Sequence, residues 1–262
     1  MTYSSATAIV TGAASGMGRA LVTRLLAQGA AVYAVDREVT GLDSLAAGSR
    51  GDLTTMVADV TDREALAEVV ERAVAEHDRL DLMFNNAGIV VGGDFADMTD
   101  TVWNTIVDVN FWGVVHGTQL AYAHMLKQGR GHIVNTASSA GVMPVARSTA
   151  YAATKHAVVG LSTSLRAEAA AHGIKVSVVL PGVVDTGIFD NAVNLPGYNY
   201  RATIDKLPFA KVTPLAAADA ILDGVAKNKQ YISFPAYNRI IIGLNRMLPD
   251  VMAPIINRGG RK

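Results

Sequence analysis

The chain has 262 residues, of which half are hydrophobic and 18% charged, and its 23 Lys and Arg balance 23 Asp and Glu. No cationic excess is present to neutralise a phosphate backbone, which argues against nucleic acid as a partner, and the apolar content is that of a packed globule. Cysteine is absent, which removes disulfides and thiolate metal sites and suits a cytoplasmic location.

Residues Met1 to Thr7 lack the basic region and apolar run of a signal peptide. No stretch reaches the roughly 18 apolar residues of a membrane span. A soluble protein is expected.

Short β-branched and apolar runs then alternate with longer helical patterns. The strand-like runs are Thr7–Thr11, Ala31–Asp36, Thr54–Val60, Leu80–Asn85, Ile133–Ala137, Lys175–Leu180 and Tyr231–Phe234. Helical patterns lie near 17–28, 62–77, 99–127, 150–172 and 214–228. Runs apolar on both faces belong to strands covered on both sides. The alternation predicts an α/β fold, a doubly wound parallel sheet of about seven strands with right-handed crossovers. Without a linker, a composition break or a repeat, one domain is the simplest organisation. Thr61-Asp62-Arg63-Glu64 has capping-box spacing, with Thr61 as the predicted N-cap.

The first strand runs into Thr11-Gly12-Ala13-Ala14-Ser15-Gly16-Met17-Gly18. Glycines here permit a tight turn and let backbone N–H groups approach a pyrophosphate at a helix N-terminus. The spacing differs from the Gly-x-Gly-x-x-Gly fingerprint, and an ordinary glycine-rich turn is the alternative. The second strand ends 18 residues after Gly18 at Asp36, where a carboxylate can bond ribose hydroxyls. A phosphate on that ribose would be repelled by ~4 kcal/mol at about 4 Å and an effective dielectric near 20. NAD is therefore expected over NADP, with the adjacent Arg37 as the complication, since a guanidinium accepts phosphate.

Tyr151-Ala152-Ala153-Thr154-Lys155 places a phenol and an ammonium four residues apart on one helix face. Tyrosine titrates near pH ~10, and a nearby fixed cation stabilises its phenolate. A solvated helix pair is the alternative. Ser138 lies thirteen residues upstream, where a predicted strand ends at the carboxyl edge of the sheet. Ligands of open α/β folds bind at that edge. Ser139, the next residue, is expected on the opposite face of the extended segment.

Taken together, these motifs resemble the short-chain dehydrogenase/reductase family, whose fold is Rossmann-like. The resemblance covers about residues 7 to 235 and rests on Thr11–Gly18, Asp59-Val60, Asn85-Asn86-Ala87-Gly88, Asn110, Ser138, Tyr151/Lys155 and Pro181-Gly182-Val183-Val184-Asp185-Thr186. It implies that Tyr151 exchanges a proton with the substrate oxygen, that Ser138 hydrogen-bonds the same oxygen, and that Lys155 lowers the tyrosine pKa and holds the nicotinamide ribose. Asn110 would bend its helix and keep a water leading from Lys155. The cofactor would be held by Gly12, Ser15, Gly16, Met17, Gly18, Asp36, Arg37, Asp59, Val60, Asn86, Ala87, Gly88, Pro181, Gly182, Val184 and Thr186, with Tyr151 and Lys155. Asn85 is expected to serve the strand. The activity implied is NAD-dependent interconversion of a secondary alcohol and a ketone. An NAD-binding scaffold with unused catalytic residues is the alternative.

The six histidines show no ligand spacing, so no metal site is expected, and His77 and His172 suit helix ends. Trp103, Phe111, Trp112 and Tyr122 read as core or subunit contact. The resemblance implies a homodimer or homotetramer. The segment 187–212 lacks periodicity, and its Ile188, Phe189, Val193, Leu195, Tyr198 and Tyr200 favour a bulky, largely apolar substrate. In the tail, Ile241, Leu244, Leu248, Val251 and Ile255 keep helical spacing among Arg239, Arg246, Arg258, Arg261 and Lys262. A membrane surface could receive such a segment, but Pro249 and Pro254 favour two short helices over the substrate pocket or a neighbouring subunit.

Overall fold

The apolar runs form a wholly parallel sheet. The computed structural model describes residues 3–207 and 210–258, the last four of these for their backbone only. Strands β1 (Thr7–Thr11), β2 (Ala31–Asp36) and β3 (Leu53–Val57) alternate with helices α1 (Gly16–Ala27), α2 (Val39–Gly48) and α3 (Arg63–His77). After β4 (Leu82–Asn85) come the two-residue β5 (Val91–Gly92), α4 (Asp100–Val107), a π-helical turn at Asp108–Trp112 and α5 (Gly113–Gln128). The chain continues through β6 (Gly131–Thr136), α6 (Thr149–Ala169), β7 (Ile174–Pro181), the two-residue β8 (Val193–Asn194) and α7 (Tyr200–Asp205). It ends with α8 (Pro214–Ala226), β9 (Tyr231–Phe234), α9 (Ala236–Met247) and α10 (Pro249–Arg258).

The seven-stranded sheet has the order β3-β2-β1-β4-β6-β7-β9. Successive residues of β1 point to opposite faces: Ala8 and Val10 join the cluster with Leu21, Leu25 and Ile221, while Ile9 joins the one with Leu66, Val69 and Met125. Burial on both sides explains why these strands read as unbroken apolar runs. The order reverses between β1 and β4, and ligands bind at the strand carboxyl ends beside such a switch point.

Three local expectations are corrected. Thr61 does not cap α3; the Asp62 carboxylate accepts from the Glu64 and Ala65 amides, while Thr61 donates to Asp59. Strand β3 ends at Val57, three residues before the predicted strand end. The helix α2 was not foreseen, since Gly41 and Gly48 weaken its helical signal. It forms because Leu42 and Leu45 are buried, and Gly41 lets it close on Ala14, whose Cβ would lie 2.6 Å from an added side chain.

The third correction concerns 187–212, which is not irregular throughout. Val193 and Asn194 pair in parallel with Val91 and Gly92, and α7 follows. In the tail, α9 docks through Asn238, which donates to the Leu180 carbonyl, and through Asn245, which donates to that of Val142. Its opposite side exposes Ile240, Leu244 and Met247, the last at 79%. Among the described residues, no side chain of either tail helix lines the cavity at the strand carboxyl ends. Arg261 and Lys262 lie outside the described residues, as do the side chains of Ile255 and Arg258.

Candidate active site

At the end of β1 the chain must reverse into α1 within four residues, and glycine makes that possible. Gly12 and Gly16 adopt φ of +67° and +52°, a region costly to side-chain-bearing residues. Gly18 permits closeness, because an added Cβ would lie 2.0 Å from the Gly12 carbonyl oxygen. The turn thus leaves Gly12, Ser15, Gly16 and Met17 on the wall of a cavity of about 410 Å³. Thr186 closes over Gly16, with 3.1 Å between its side chain and the position of an added Cβ.

Asp36, at the tip of β2, lies on the same wall. Its carboxylate is fixed by the Ala14 amide at 2.9 Å and the Glu38 amide at 3.1 Å. Arg37 reaches Asp59 at 3.6 Å. Burial works against the Asp59 charge, but hydrogen bonds from Thr61 and the Arg37 cation outweigh it and hold this carboxyl below its usual range. Val60, Ala87 and Gly88 complete this end. Asn86 donates to the Thr11 carbonyl, which leaves its Oδ1 buried with no partner among the described residues.

Ser138, Tyr151 and Lys155 meet at the other end of the cavity. Ser138 ends the loop after β6 in an extended conformation, and its hydroxyl accepts from the Ala140 amide at 3.1 Å. It also hydrogen-bonds the Tyr151 phenol. Burial pushes that phenol up, against the Ser138 bond. Lys155 is buried, 5.7 Å from the Tyr151 ring centre, and donates to the Thr136 carbonyl at 3.0 Å. Burial pushes its ammonium down to about 8. Desolvation is the largest influence on the phenol in this arrangement. Ser139 also lines the cavity, contrary to its expected opposite orientation, since the segment curls into a 3-10 turn at Ser139–Gly141.

Asn110 stands behind the wall, inside the π turn. It accepts from the Ile89 amide at 2.8 Å, donates to the Ile89 carbonyl at 2.9 Å and reaches Thr154 at 3.3 Å. Both backbone groups of the residue after Gly88 are thereby satisfied by one side chain. Asn85 serves the interior: it donates to Thr118 and Asn135 in a buried network. Pro181, Gly182 and Val184 leave β7 along the cavity wall. Every residue expected to be catalytic or to hold the cofactor lines the cavity except Gly18 and Asn110, which support the wall from behind. Of the expected substrate-loop residues Ile188, Phe189 and Tyr200 line it, whereas Val193, Leu195 and Tyr198 do not, because 193–194 pair with 91–92 and Leu195 packs against Val91 and Met98.

Sequence reading missed Ile89, Val145, Ile204 and Leu207, which supply apolar wall. Their side chains reach the cavity only through tertiary placement, although 204 and 207 fall in the loop singled out for substrate. Among the described residues no cluster of three His, Cys, Asp or Glu could hold a metal ion.

A family model described as short chain dehydrogenase matches residues 6–194. The 3-oxoacyl-[acyl-carrier-protein] reductase FabG of Thermotoga maritima is 34% identical over 229 residues, covering 86% of this chain and 92% of that protein. The putative oxidoreductase SadH of Mycobacterium tuberculosis is 34% identical over 256 residues, covering 95% and 90%. A solved short chain dehydrogenase/reductase from Burkholderia phymatum, in complex with NAD, superimposes with a TM-score of 0.86 at 26% identity over 96% of each chain. The fold and site define a nucleotide-binding type of α/β sheet. The chain belongs to the short-chain dehydrogenase/reductase family of oxidoreductases.

Proposed function

We propose that this chain is an NAD(H)-dependent oxidoreductase that interconverts a secondary alcohol and a ketone on a bulky, largely apolar molecule. The observation that carries the reading is the meeting of Ser138, Tyr151 and Lys155 in the cavity that the glycine turn and Asp36 also line. The residues present fit a dinucleotide. Two left-handed glycines leave room beside the α1 N-terminus, Asp36 offers a fixed carboxylate, and Asn86 an unpaired acceptor.

When bound, the nicotinamide would take or give the hydride at the substrate carbon. The protein moves the proton and excludes water. Tyr151, kept protonated by burial, gives its phenolic proton to a ketone oxygen and recovers one from an alcohol. Ser138 hydrogen-bonds that oxygen and fixes the phenol. Lys155 supplies positive charge near the phenol and a donor for a ribose hydroxyl. Asn110 holds the Gly88–Ile89 wall. Apolar side chains from Ile188 to Leu207 take the body of the substrate.

Tyr151→Phe is expected to lower kcat by orders of magnitude and to leave NAD affinity, measured by fluorescence titration, nearly unchanged. A Phe variant that reduces NAD at the parent rate removes the assignment. The scaffold alternative gains if no member of a broad panel of secondary alcohols is oxidised while NAD binds tightly. The same reading takes the chain as one catalytic domain, cytoplasmic and associated as a homodimer or homotetramer. The uncovered Ile240, Leu244 and Met247 stripe supports association.

A further inference from the structure

The substrate end of the cavity is mostly hydrocarbon. Ile89, Val145, Ile188, Phe189, Ile204 and Leu207 supply it. Beyond the Ser138–Tyr151 pair and Lys155, few polar side chains from the loops border this end: Ser139, Asn191 and Tyr200. Asn191 is exposed at the rim, where water competes for any bond it makes. Ser139 is part-exposed and not fixed by a side-chain hydrogen bond. Tyr200 differs from both: it is buried at 5% exposure and held from several sides.

Three contacts fix it. Its ring stacks on Phe189 at 5.7 Å with 8° between planes. It meets the Tyr198 ring edge-on at 5.8 Å. Its hydroxyl accepts from Ser148 at 3.2 Å. Ser148 is the N-cap residue of α6, three positions before Tyr151, so the same helix start holds both phenols. Burial pushes the Tyr200 phenol up, and charge on Tyr151 would oppose its ionisation further. Tyr200 thus keeps its proton at every working pH. Ser148 is the hydroxyl's one hydrogen-bond partner among the described residues; when Ser148 donates, as serine and tyrosine rotors allow, the Tyr200 proton is left to a further acceptor in the cavity.

The placement of this ring is built into the backbone. Residues Val193 and Asn194 pair with Val91 and Gly92, and the Asn194 side chain accepts from the Tyr200 amide at 2.7 Å. At Gly92 an added Cβ would lie 2.4 Å from the Tyr200 ring and 2.3 Å from that of Tyr198. Only glycine there lets both rings settle on this strand.

We propose that the Tyr200 hydroxyl is a second substrate anchor, donating a hydrogen bond to an oxygen that neighbours the reacting one. The preferred substrate is then a vicinal or 1,3-dioxygenated molecule on an apolar frame, not a simple alcohol or ketone. This deepens the functional reading above and rests on it. Tyr200 is a specificity residue here: it touches the substrate and moves no proton. A buried donor left without its acceptor penalises a molecule lacking the second oxygen, which is how a site rejects such analogues.

The test is titration calorimetry of the full chain saturated with NADH, a state that binds an alcohol without oxidising it. The probes are 2-decanol, 2,3-decanediol and 2,4-decanediol. One of the diols is expected to bind at least about tenfold more tightly than the mono-alcohol, and Tyr200→Phe to bring the two to parity. Gly92→Ala, which displaces the ring but keeps the hydroxyl, is expected to erase the preference as well. Equal affinities in the parent protein overturn the proposal. So does a diol preference that survives in Tyr200→Phe, or a Phe variant that weakens all three probes equally, since that marks Tyr200 as wall alone. Tyr200-dependent diol binding without NAD reduction in a parallel absorbance assay leaves this inference standing and sinks the oxidoreductase reading.

Discussion

Asp36 and Arg37 carry opposite charges side by side, and what decides between them is a third residue. Asp59 sits 3.6 Å from the Arg37 guanidinium, so the cation that could welcome a ribose phosphate already faces a carboxylate. Both acids line the cavity, and the local charge is net negative. As a stabilising contact this exposed pair is worth little; under the proposed NAD(H) reading it would act on selectivity. Asp36→Ala and Asp59→Ala are each expected to raise kcat/KM with NADP relative to NAD by about tenfold or more, the first by removing repulsion and the second by releasing Arg37. Paired assays with the two cofactors measure this. A parent protein that already prefers NADP contradicts the whole electrostatic picture.

On the scale of elements, the long helical pattern at 99–127 breaks into α4, a π turn and α5. Such turns interrupt helices where a side chain is needed at an unusual angle. Here Asn110, fully buried, is turned onto the Ile89 backbone. Asn110→Ala leaves the part-buried amide and carbonyl of Ile89 without their partners, at about 1–2 kcal/mol each, the lower part of the range for buried groups. The variant is expected to lose about 2–4 kcal/mol in urea unfolding and to show weaker NAD binding through a loosened Gly88–Ile89 wall. A loss below about 0.5 kcal/mol would mean water replaces the amide. The spacing of apolar residues announced the helix but not its defect, because a single inserted residue hardly alters a 3.6-residue period.

Across the whole molecule, one buried base ties stability to pH far from the cavity. Ser177 gives its proton to the Lys229 carbonyl at 2.6 Å, so His132 Nε2 donates to the Ser177 oxygen at 2.8 Å and the ring is neutral. Burial, with Lys175 and Arg166 nearby, pushes it from 6.5 down to about 3. Between those values the unfolded chain binds one more proton than the folded chain. Stability therefore falls as pH drops from about 6.5 toward 3, by about 1.4 kcal/mol per unit from this residue. His132→Gln is expected to show a shallower fall between pH 6.5 and 4.5 than the parent in urea unfolding, by about one proton. Parallel slopes would place the acid sensitivity elsewhere.

Assembly belongs to the same scale. Light scattering is expected to give a dimer or tetramer mass, and a monomer would leave the α9 stripe to another surface. Among the described residues no helix is long and apolar enough to cross a membrane.

Elements buried on both faces were legible from composition alone, since β1, β2 and β9 coincide with the apolar runs that announced them. So were residues whose role is local: the glycines that turn the chain into α1, and Tyr151 with Lys155 one helical turn apart. What the sequence could not contain was anything made by distant segments meeting. The pairing of 193–194 with 91–92, the placement of Tyr200 beside Tyr151, the capture of Arg37 by Asp59 and the burial that raises Tyr151 while lowering Lys155 are of that kind. Local propensity and periodicity act over a few residues, whereas desolvation and charge pairing depend on which surfaces the completed sheet brings together.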